Sequence, residues 1–296
     1  MSAPENSKPS LRIPPWLRVK LPCNHTFSDT RALVEGLDLH TVCHSAKCPN
    51  MFECFSRKTA TFLILGNTCT RNCAFCNIGG GIIHAPDPEE PARVGKAAAA
   101  LGLRHAVVTS VTRDDLPDGG ASFFAAVIHA LHRRLPEAGV EVLTPDFNGS
   151  GEAIAAVLAA GPTVFNHNIE TVERLSNEIR TRATYRKSLE VLRLAAKAGN
   201  GIPVKSGIML GLGETDDEVV ETLKDLRLAG VSIVTIGQYL PPSADHWPLD
   251  RFVTPDEFAR FGKIAEELGF SAVASSPLVR SSYHAGELQR KGEAGS

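Results

Sequence analysis

The chain of 296 residues reads as an α/β fold on parallel strands, and three observations lead there. From residue 59 onward, short apolar runs alternate with Ala- and Leu-rich runs of helical length. Most apolar runs lack a strict polar–apolar alternation, as expected of parallel strands covered on both faces. The count is six strand–helix units followed by one terminal strand. Such units join by right-handed crossovers, and closure into a full or partial barrel is expected over an open sheet.

The elements can be taken in order. Residues 1–58 stand apart: they are rich in Pro and Cys, and Pro14, Pro15, Pro22 and Pro49 interrupt any long helix. The strand candidates are residues 61–65, 106–111, 140–143, 163–167, 204–210, 232–238 and 271–274. Between them, "PARVGKAAAALGL" ends near Gly102, "ASFFAAVIHALHRRL" stops at Pro136, and "GEAIAAVLAAGP" carries its own Gly-Pro stop. "TYRKSLEVLRLAAKAG" ends at Gly199, while "ETDDEVVETLKDLRLAG" opens acidic and closes with Arg227 and Gly230, matching the helix dipole at both ends. "TPDEFARFGKIAEELG" opens with Thr254 as a cap and Pro255 at the first helical position. Chemistry in such folds gathers in the loops after the strands' C-terminal ends.

Composition narrows the function. With 43% hydrophobic residues the chain can bury a large core. A net charge of −2 without a basic stripe argues against a nucleic-acid partner. No apolar run approaches the ~18–20 residues a membrane helix needs, and "MSAPENSKPS" lacks a signal pattern, so a cytoplasmic protein is expected.

Six of the seven cysteines crowd into residues 43–76, and none follows. That is no disulfide framework for a whole chain; it suggests metal ligands or catalytic thiols. Cys69-x3-Cys73-x2-Cys76 directly follows the first strand candidate. A structural zinc site wants four ligands and a closed shell, so three thiolates would need completion from elsewhere. A [4Fe–4S] cluster has four irons, and three cysteines leave one open to an outside ligand. Cys43-x4-Cys48-x5-Cys54 repeats the arrangement with looser spacing. Cys23 belongs to neither triplet and reads as an idle or structural thiol. His129 and His132 read as a solvated helix face, and His44 and His284 as possible hydrogen-bond donors beside the ligands.

Cx3CxxC after a first strand, with Phe75 before the last cysteine, resembles the signature of radical S-adenosylmethionine (SAM) enzymes. The resemblance implies that SAM's amino and carboxylate groups chelate the open iron. One electron then splits the sulfonium to give a 5′-deoxyadenosyl radical that removes hydrogen from unactivated carbon. The Cys43–Cys54 triplet, "LGNTCTRNCAFCNI" at 65–78, "TSVTRDDLPDGGA" at 109–121, "VRSSYHAGE" at 279–287 and "PPWLRVKLP" at 14–22 together are similar to the lipoyl synthase family, over nearly the whole chain.

That resemblance implies a partial (β/α)6 radical SAM barrel over residues 59–270. Residues 1–58 would form an N-terminal extension carrying auxiliary cluster ligands. Residues 271–296 would supply a terminal strand and an RSSY segment closing the mouth, where it would meet the extension. The implied reaction inserts two sulfur atoms, at C6 and C8 of an octanoyl chain carried on a lysine, and cleaves two SAM molecules. Cys69, Cys73 and Cys76 would hold the radical-generating cluster. Cys43, Cys48 and Cys54, with Ser282 as the unusual fourth ligand, would hold an auxiliary [4Fe–4S] cluster consumed as the sulfur source, with Arg280 nearby. An oxygen ligand is a harder partner for iron than thiolate, which suits a cluster meant to be dismantled. Phe75, Asp114, Asn168, Glu170 and Arg182 are the candidate SAM contacts, and the Gly-rich stretch at 207–215 would pass beside the adenosyl group.

The implied partners are octanoylated lipoyl carrier domains of 2-oxoacid dehydrogenase or glycine cleavage proteins, an electron donor such as ferredoxin or flavodoxin, and an iron–sulfur cluster carrier. A sulfur-inserting enzyme of the biotin synthase kind and a non-enzymatic metal carrier compete with this reading. The twin triplets and RSSY argue against the first, and reductive SAM cleavage would exclude the second.

Overall fold

The computed structural model describes residues 12–18, 25–57 and 60–294. Cys23, the boundary at 58/59 and part of the "PPWLRVKLP" motif lie outside the described residues. One sheet runs through the molecule in the order β1 to β8: β1 His40–Thr41, β2 Thr61–Ile64, β3 His105–Ser110, β4 Gly139–Leu143, β5 Val164–Asn166, β6 Val204–Leu210, β7 Ile233–Gln238 and β8 Ala272–Ser275. From β2 onward every neighbouring pair is parallel. β1 pairs antiparallel with β2, His40 opposite Leu63 and Thr41 opposite Phe62. The strands anticipated from the sequence each appear within one residue at either end, and every residue of β2 and β7 is buried. With β1 and β8 at the two edges of the sheet, the barrel is partial, not closed.

The helices are α1 His25–Gly36, α2 Val42–Ser45, α3 Met51–Ser56, α4 Glu90–Leu101, α5 Ala121–Arg134, α6 Gly151–Ala159, α7 Glu173–Ile179, α8 Tyr185–Ala198, α9 Asp216–Leu228, α10 Pro255–Glu267 and α11 Ala285–Ala294. The anticipated starts hold. α10 begins with Thr254 accepting from the Glu257 amide while the Glu257 carboxylate accepts from Thr254, and α9 repeats this reciprocal cap with Thr215 and Glu218. Among the described residues, burial of Val, Ile, Leu and Phe from the sheet and the helix faces makes one large core, with a small second cluster at the strand starts.

Beyond β8 the chain does not stay at the mouth. Residues 276–284 form a strap that descends the inner face of the sheet. The Gln238 amide, at the C-terminal end of β7, donates to the Pro277 carbonyl (3.3 Å). A Cβ on Gly237 would lie 2.1 Å from the Val279 carbonyl, and one on Gly207 would lie 2.7 Å from the Ser281 hydroxyl. Glycine at these two positions lets the strap lie directly against β6 and β7. α11 then packs against the strands' starts: Leu288 joins Val164, Ile233 and Ala272, and Gly286 abuts His105. The strap begins at the mouth, but α11 covers the opposite end.

Candidate active site

The first triplet sits in a loop without regular structure, entered through a reversal in which Leu65 and Gly66 both have positive φ (66° and 87°). The loop is fixed by bonds to its neighbours. The Thr70 amide donates to the Thr112 carbonyl (3.1 Å), the Ala74 amide to the Ile179 carbonyl (2.8 Å) and the Trp247 amide to the Ala74 carbonyl (2.7 Å). Thr181 Oγ1 donates to the Asn72 carbonyl (2.6 Å), and the ring of His246 donates from Nε2 to the Cys76 carbonyl (3.2 Å). Two sulfurs accept main-chain amides: Arg71 N to Cys69 Sγ and Thr181 N to Cys73 Sγ, each at 3.4 Å. Such bonds orient cluster ligands and tune cluster potential.

Arg71, between the first two cysteines, is buried and forks twice. Nε and Nη2 reach Asp114 at 2.9 and 2.7 Å, while Nη1 and Nη2 reach Asp146 at 2.8 Å each. A paired fork of this kind is what guanidinium offers and ammonium does not. Arg71 holds the Asp114 carboxyl below the usual range against the opposing pull of burial. Burial pushes Asp146 up, but the Arg71 bonds more than offset it and its pKa is lowered.

The other candidate SAM contacts gather around this loop. Phe75 packs half-buried against the core. Asn168 follows β5 and accepts the Ser281 hydroxyl at 2.9 Å. Glu170 is left-handed (φ 67°), stitched to β6 by its amide on the Gly207 carbonyl (3.0 Å) and by Met209 N on its own carbonyl (2.9 Å). A non-glycine residue held there stores about 1 kcal/mol or more of strain, a frequent feature of functional positions. Burial raises the Glu170 carboxyl, with Arg180 and Asn168 opposing. Arg182, also left-handed (φ 61°), is exposed, with Nη1 3.7 Å from Asp114. In the Gly-rich stretch, the Glu214 carboxylate accepts the amides of Gly211 and Leu212.

The second triplet spans from the first cysteine loop, where Asn77 Nδ2 donates to the Ser45 carbonyl (2.7 Å), to the start of β2. Cys43 is in α2, Cys54 in α3, and Cys48 in the turn between, its amide donating to the Cys43 carbonyl (3.0 Å). The antiparallel pairing of β1 leads the chain down β2, so Cys43 ends beside Thr61, the first residue of that strand. The sequence reading expects the extension and the RSSY segment to meet over the mouth. They meet along the strap, from Leu278 beside the mouth to Tyr283 farther down the sheet, with β1 carrying Cys43 to the start of β2. Asn50 Nδ2 donates to the Leu278 carbonyl (2.7 Å) and the Tyr283 hydroxyl to Glu53 (2.9 Å). His284 Nε2 lies 3.6 Å from Glu53, and burial raises the Cys48 thiol, with the Asn50 backbone and the charge of Arg280 opposing. Ser282 lies within this stitched stretch. Its hydroxyl has no hydrogen-bond partner among the described residues, whereas that of Ser281 is committed to Asn168.

The thiols test whether a cluster fits. All six are free. Burial pushes Cys43 to about 11, while burial and then the charges of Cys43 and Cys48 push Cys54 to about 12. Burial, with repulsion from Cys73 and Cys69, takes Cys76 to about 11. Buried thiols that repel one another as thiolates are a site wanting positive charge, and metal binding would release their protons. Among the described residues no three of these groups close on a single ion. Three thiols in each triplet, buried and mutually repelling as thiolates, are a donor set of the kind that holds three irons of a [4Fe–4S] cluster.

Sequence reasoning missed Arg71, Arg180, the loop 239–247 and the buried pair Glu141–Lys205. A signal existed for some of them: an arginine between two ligand cysteines, and lone opposite charges inside the apolar runs "GVEVL" and "VKSGIML".

Comparison with known proteins agrees with this geometry. The family model described as "Radical SAM superfamily" matches residues 63–226, and "N-terminal domain of lipoyl synthase of Radical_SAM family" matches residues 2–48. Methylornithine synthase (PylB) has a similar fold, with a TM-score of 0.53 at 18% identity over 77% of this chain and 67% of that one. HydG, a maturase of the [FeFe]-hydrogenase, gives 0.55 at 16% identity over 87% and 57%. Fold and site thus define a radical SAM enzyme. Lipoyl synthase from Nitratidesulfovibrio vulgaris Hildenborough is 62% identical over 96% of this chain and 95% of its own length. Those of Oleidesulfovibrio alaskensis (58%, covering 96% and 97%) and Rubrobacter xylanophilus (54%, covering 93% and 85%) are also similar. The chain belongs to the lipoyl synthase family. The reaction of that family inserts two sulfur atoms, at C6 and C8 of an octanoyl-lysine on a lipoyl carrier protein, using SAM and two [4Fe–4S] clusters. No helix among the described residues is long and apolar enough to cross a membrane.

Proposed function

We propose that Cys69, Cys73 and Cys76 hold the cluster that cleaves SAM, and that Cys43, Cys48, Cys54 and Ser282 hold the auxiliary cluster that gives up its sulfur. The observation that carries this is the stitching of the second triplet to the strap: Asn50 to Leu278 and Glu53 to Tyr283, on either side of the unbonded hydroxyl of Ser282. When bound, the two clusters supply the cleaving electron and the inserted sulfur.

The chain's own residues do the rest. Arg71, Asp114 and Asp146 keep the first cysteine loop in one shape. Asp114, already occupied by Arg71, serves SAM by orienting Arg182 toward its carboxylate. Asn168 and Glu170 receive the amine and ribose, and Phe75 lines the adenosyl side. Arg280 balances the negative charge of the auxiliary cluster. Residues 1–58, 59–270 and 271–296 are the extension, the barrel and the strap region. The carriers are those of 2-oxoacid dehydrogenases or the glycine cleavage system. Ferredoxin or flavodoxin delivers electrons, a cluster carrier rebuilds the auxiliary site, and all of this takes place in the cytoplasm.

The test is anaerobic iron and sulfide analysis with product detection on an octanoyl-lysine peptide. Ser282→Ala should keep nearly all its iron and continue to cleave SAM, yet fail to complete the lipoyl group. Ser282→Cys should give a thiolate-ligated cluster that also resists dismantling. Full lipoyl production by Ser282→Ala would refute the assignment.

A further inference from the structure

Lys205 lies on β6 and is fully buried. Its Nζ reaches Glu141 Oε1 at 2.8 Å and Oε2 at 3.1 Å, and the main-chain carbonyl of Ser281 at 2.6 Å. Glu141, on β4, is equally buried and is held from the side by Asn166 Nδ2 at 3.2 Å, with His105 Nε2 3.7 Å away. A buried ion pair is weak evidence of stabilisation, since apolar residues of similar volume often serve a core as well or better. What this pair does that apolar residues would not is offer a fixed, charged donor to the underside of the strap.

We propose that the Lys205–Glu141 pair is a positioning device for Ser282, acting through the peptide that joins it to Ser281. The proposal rests on the reading of Ser282 as an auxiliary-cluster ligand. Ser281 is gripped at both of its oxygens: its carbonyl by Lys205, its hydroxyl by Asn168 at 2.9 Å. Gly207 lies against the same serine, leaving no room for a Cβ. The carbonyl of Ser281 and the amide of Ser282 share one rigid plane. A charge-assisted bond to that carbonyl therefore fixes the plane from which the Ser282 side chain departs. Asn50 and Glu53 tie the strap to the second triplet on either side; Lys205 supplies the hold from within the barrel.

The test uses the full chain in two states. In the metal-free protein, amide hydrogen exchange is compared between wild type and Lys205→Met/Glu141→Leu, which removes both charges and leaves neither orphaned. Protection at residues 280–284 should fall about tenfold, the loss expected for one hydrogen bond to a charged donor, while β4 and β6 stay protected. In reconstituted protein carrying Cys69→Ala, Cys73→Ala and Cys76→Ala, the Mössbauer spectrum of the auxiliary cluster should change in the double variant as it changes in Ser282→Ala. Unchanged exchange at 280–284 overturns the proposal. So does loosened exchange with a wild-type spectrum when Ser282→Ala does alter it. If Ser282→Ala leaves the spectrum unchanged, the ligand reading has failed, and the positioning role fails with it; a loosened strap would then show only that the pair anchors it. Should the double variant not fold, Lys205→Gln/Glu141→Gln, which keeps the bond between the side chains but shortens the reach to Ser281, is read in the same way.

Discussion

The two cysteine triplets meet the same need from very different lengths of chain. Cys69, Cys73 and Cys76 come from eight consecutive residues, and the groups that fix them are mouth loops of the barrel: Thr112, Asp114, Asp146, residues 179–181 and Trp247. Cys43, Cys48 and Cys54 come from two short helices and the turn between them, and the groups stitching that side arrive from residues 278–284, more than 220 positions away. The first site is part of the barrel's own architecture. The second is assembled where the two ends of the described chain meet, through a few separate hydrogen bonds. On this account the contrast is functional: the cluster that fires repeatedly sits in a rigid loop, and the one that is dismantled sits where the protein can open.

The sharpest way to break the contrast is to attack Arg71. Arg71→Met takes from Asp114 and Asp146 their hydrogen-bonded cation and leaves only Arg182 and Lys187 at 3.7 and 3.8 Å, and breaking a buried pair from one side costs about 3–5 kcal/mol. Denaturant unfolding of the metal-free protein should show that loss, and Arg71→Lys should lose a part of it because an ammonium does not fork. A loss below about 1 kcal/mol for Arg71→Met would mean the loop is held by other means.

Acid should reveal the same side next. His167 is buried, and its Nδ1 hydrogen donates to the Thr144 carbonyl, so Nε2 accepts from Ser188, which itself accepts from Arg180. Burial, then the charge of Arg180, lowers its pKa to about 4 from 6.5, with Asp146 opposing and Arg71 adding to the fall. A lowered folded value means the unfolded chain takes up the proton first. This stability is complete above pH 6.5 and is lost as pH falls toward 4, by up to about 3 kcal/mol. Urea midpoints of the metal-free chain across that window should fall, and His167→Gln should flatten the slope.

The smallest effects sharpen the comparison from the other side. Asn50→Ala and Tyr283→Phe each remove one stitch, at about 1 kcal/mol. Global unfolding should barely move and reductive SAM cleavage should persist, while lipoyl formation falls. A matching fall in SAM cleavage would show that the stitches serve both sites.

How far the sequence revealed this differs between the two regions for a physical reason. The barrel was legible because its strands and helices are local, with Gly and Pro punctuation and caps such as Thr254 written next to the helices they start. The cysteines were legible by spacing. What spacing does not carry is long-range placement. The two-residue β1 is too short to show a period, yet its antiparallel pairing takes Cys43 away from the mouth. α11 contains Gly286 and Gly292, poor helix formers, and is held by Leu288 packing on strand starts that only the fold brings together. Lys205 and Glu141, 64 residues apart, read separately as odd charges in apolar strands.

The division of labour between the triplets is tested most directly by Cys43→Ala/Cys48→Ala/Cys54→Ala, reconstituted anaerobically and assayed for iron, reductive SAM cleavage and lipoyl product. About four of the roughly eight irons expected for two clusters should remain, SAM cleavage should continue, and no sulfur should be inserted. Loss of SAM cleavage with iron at the wild-type level would contradict the account.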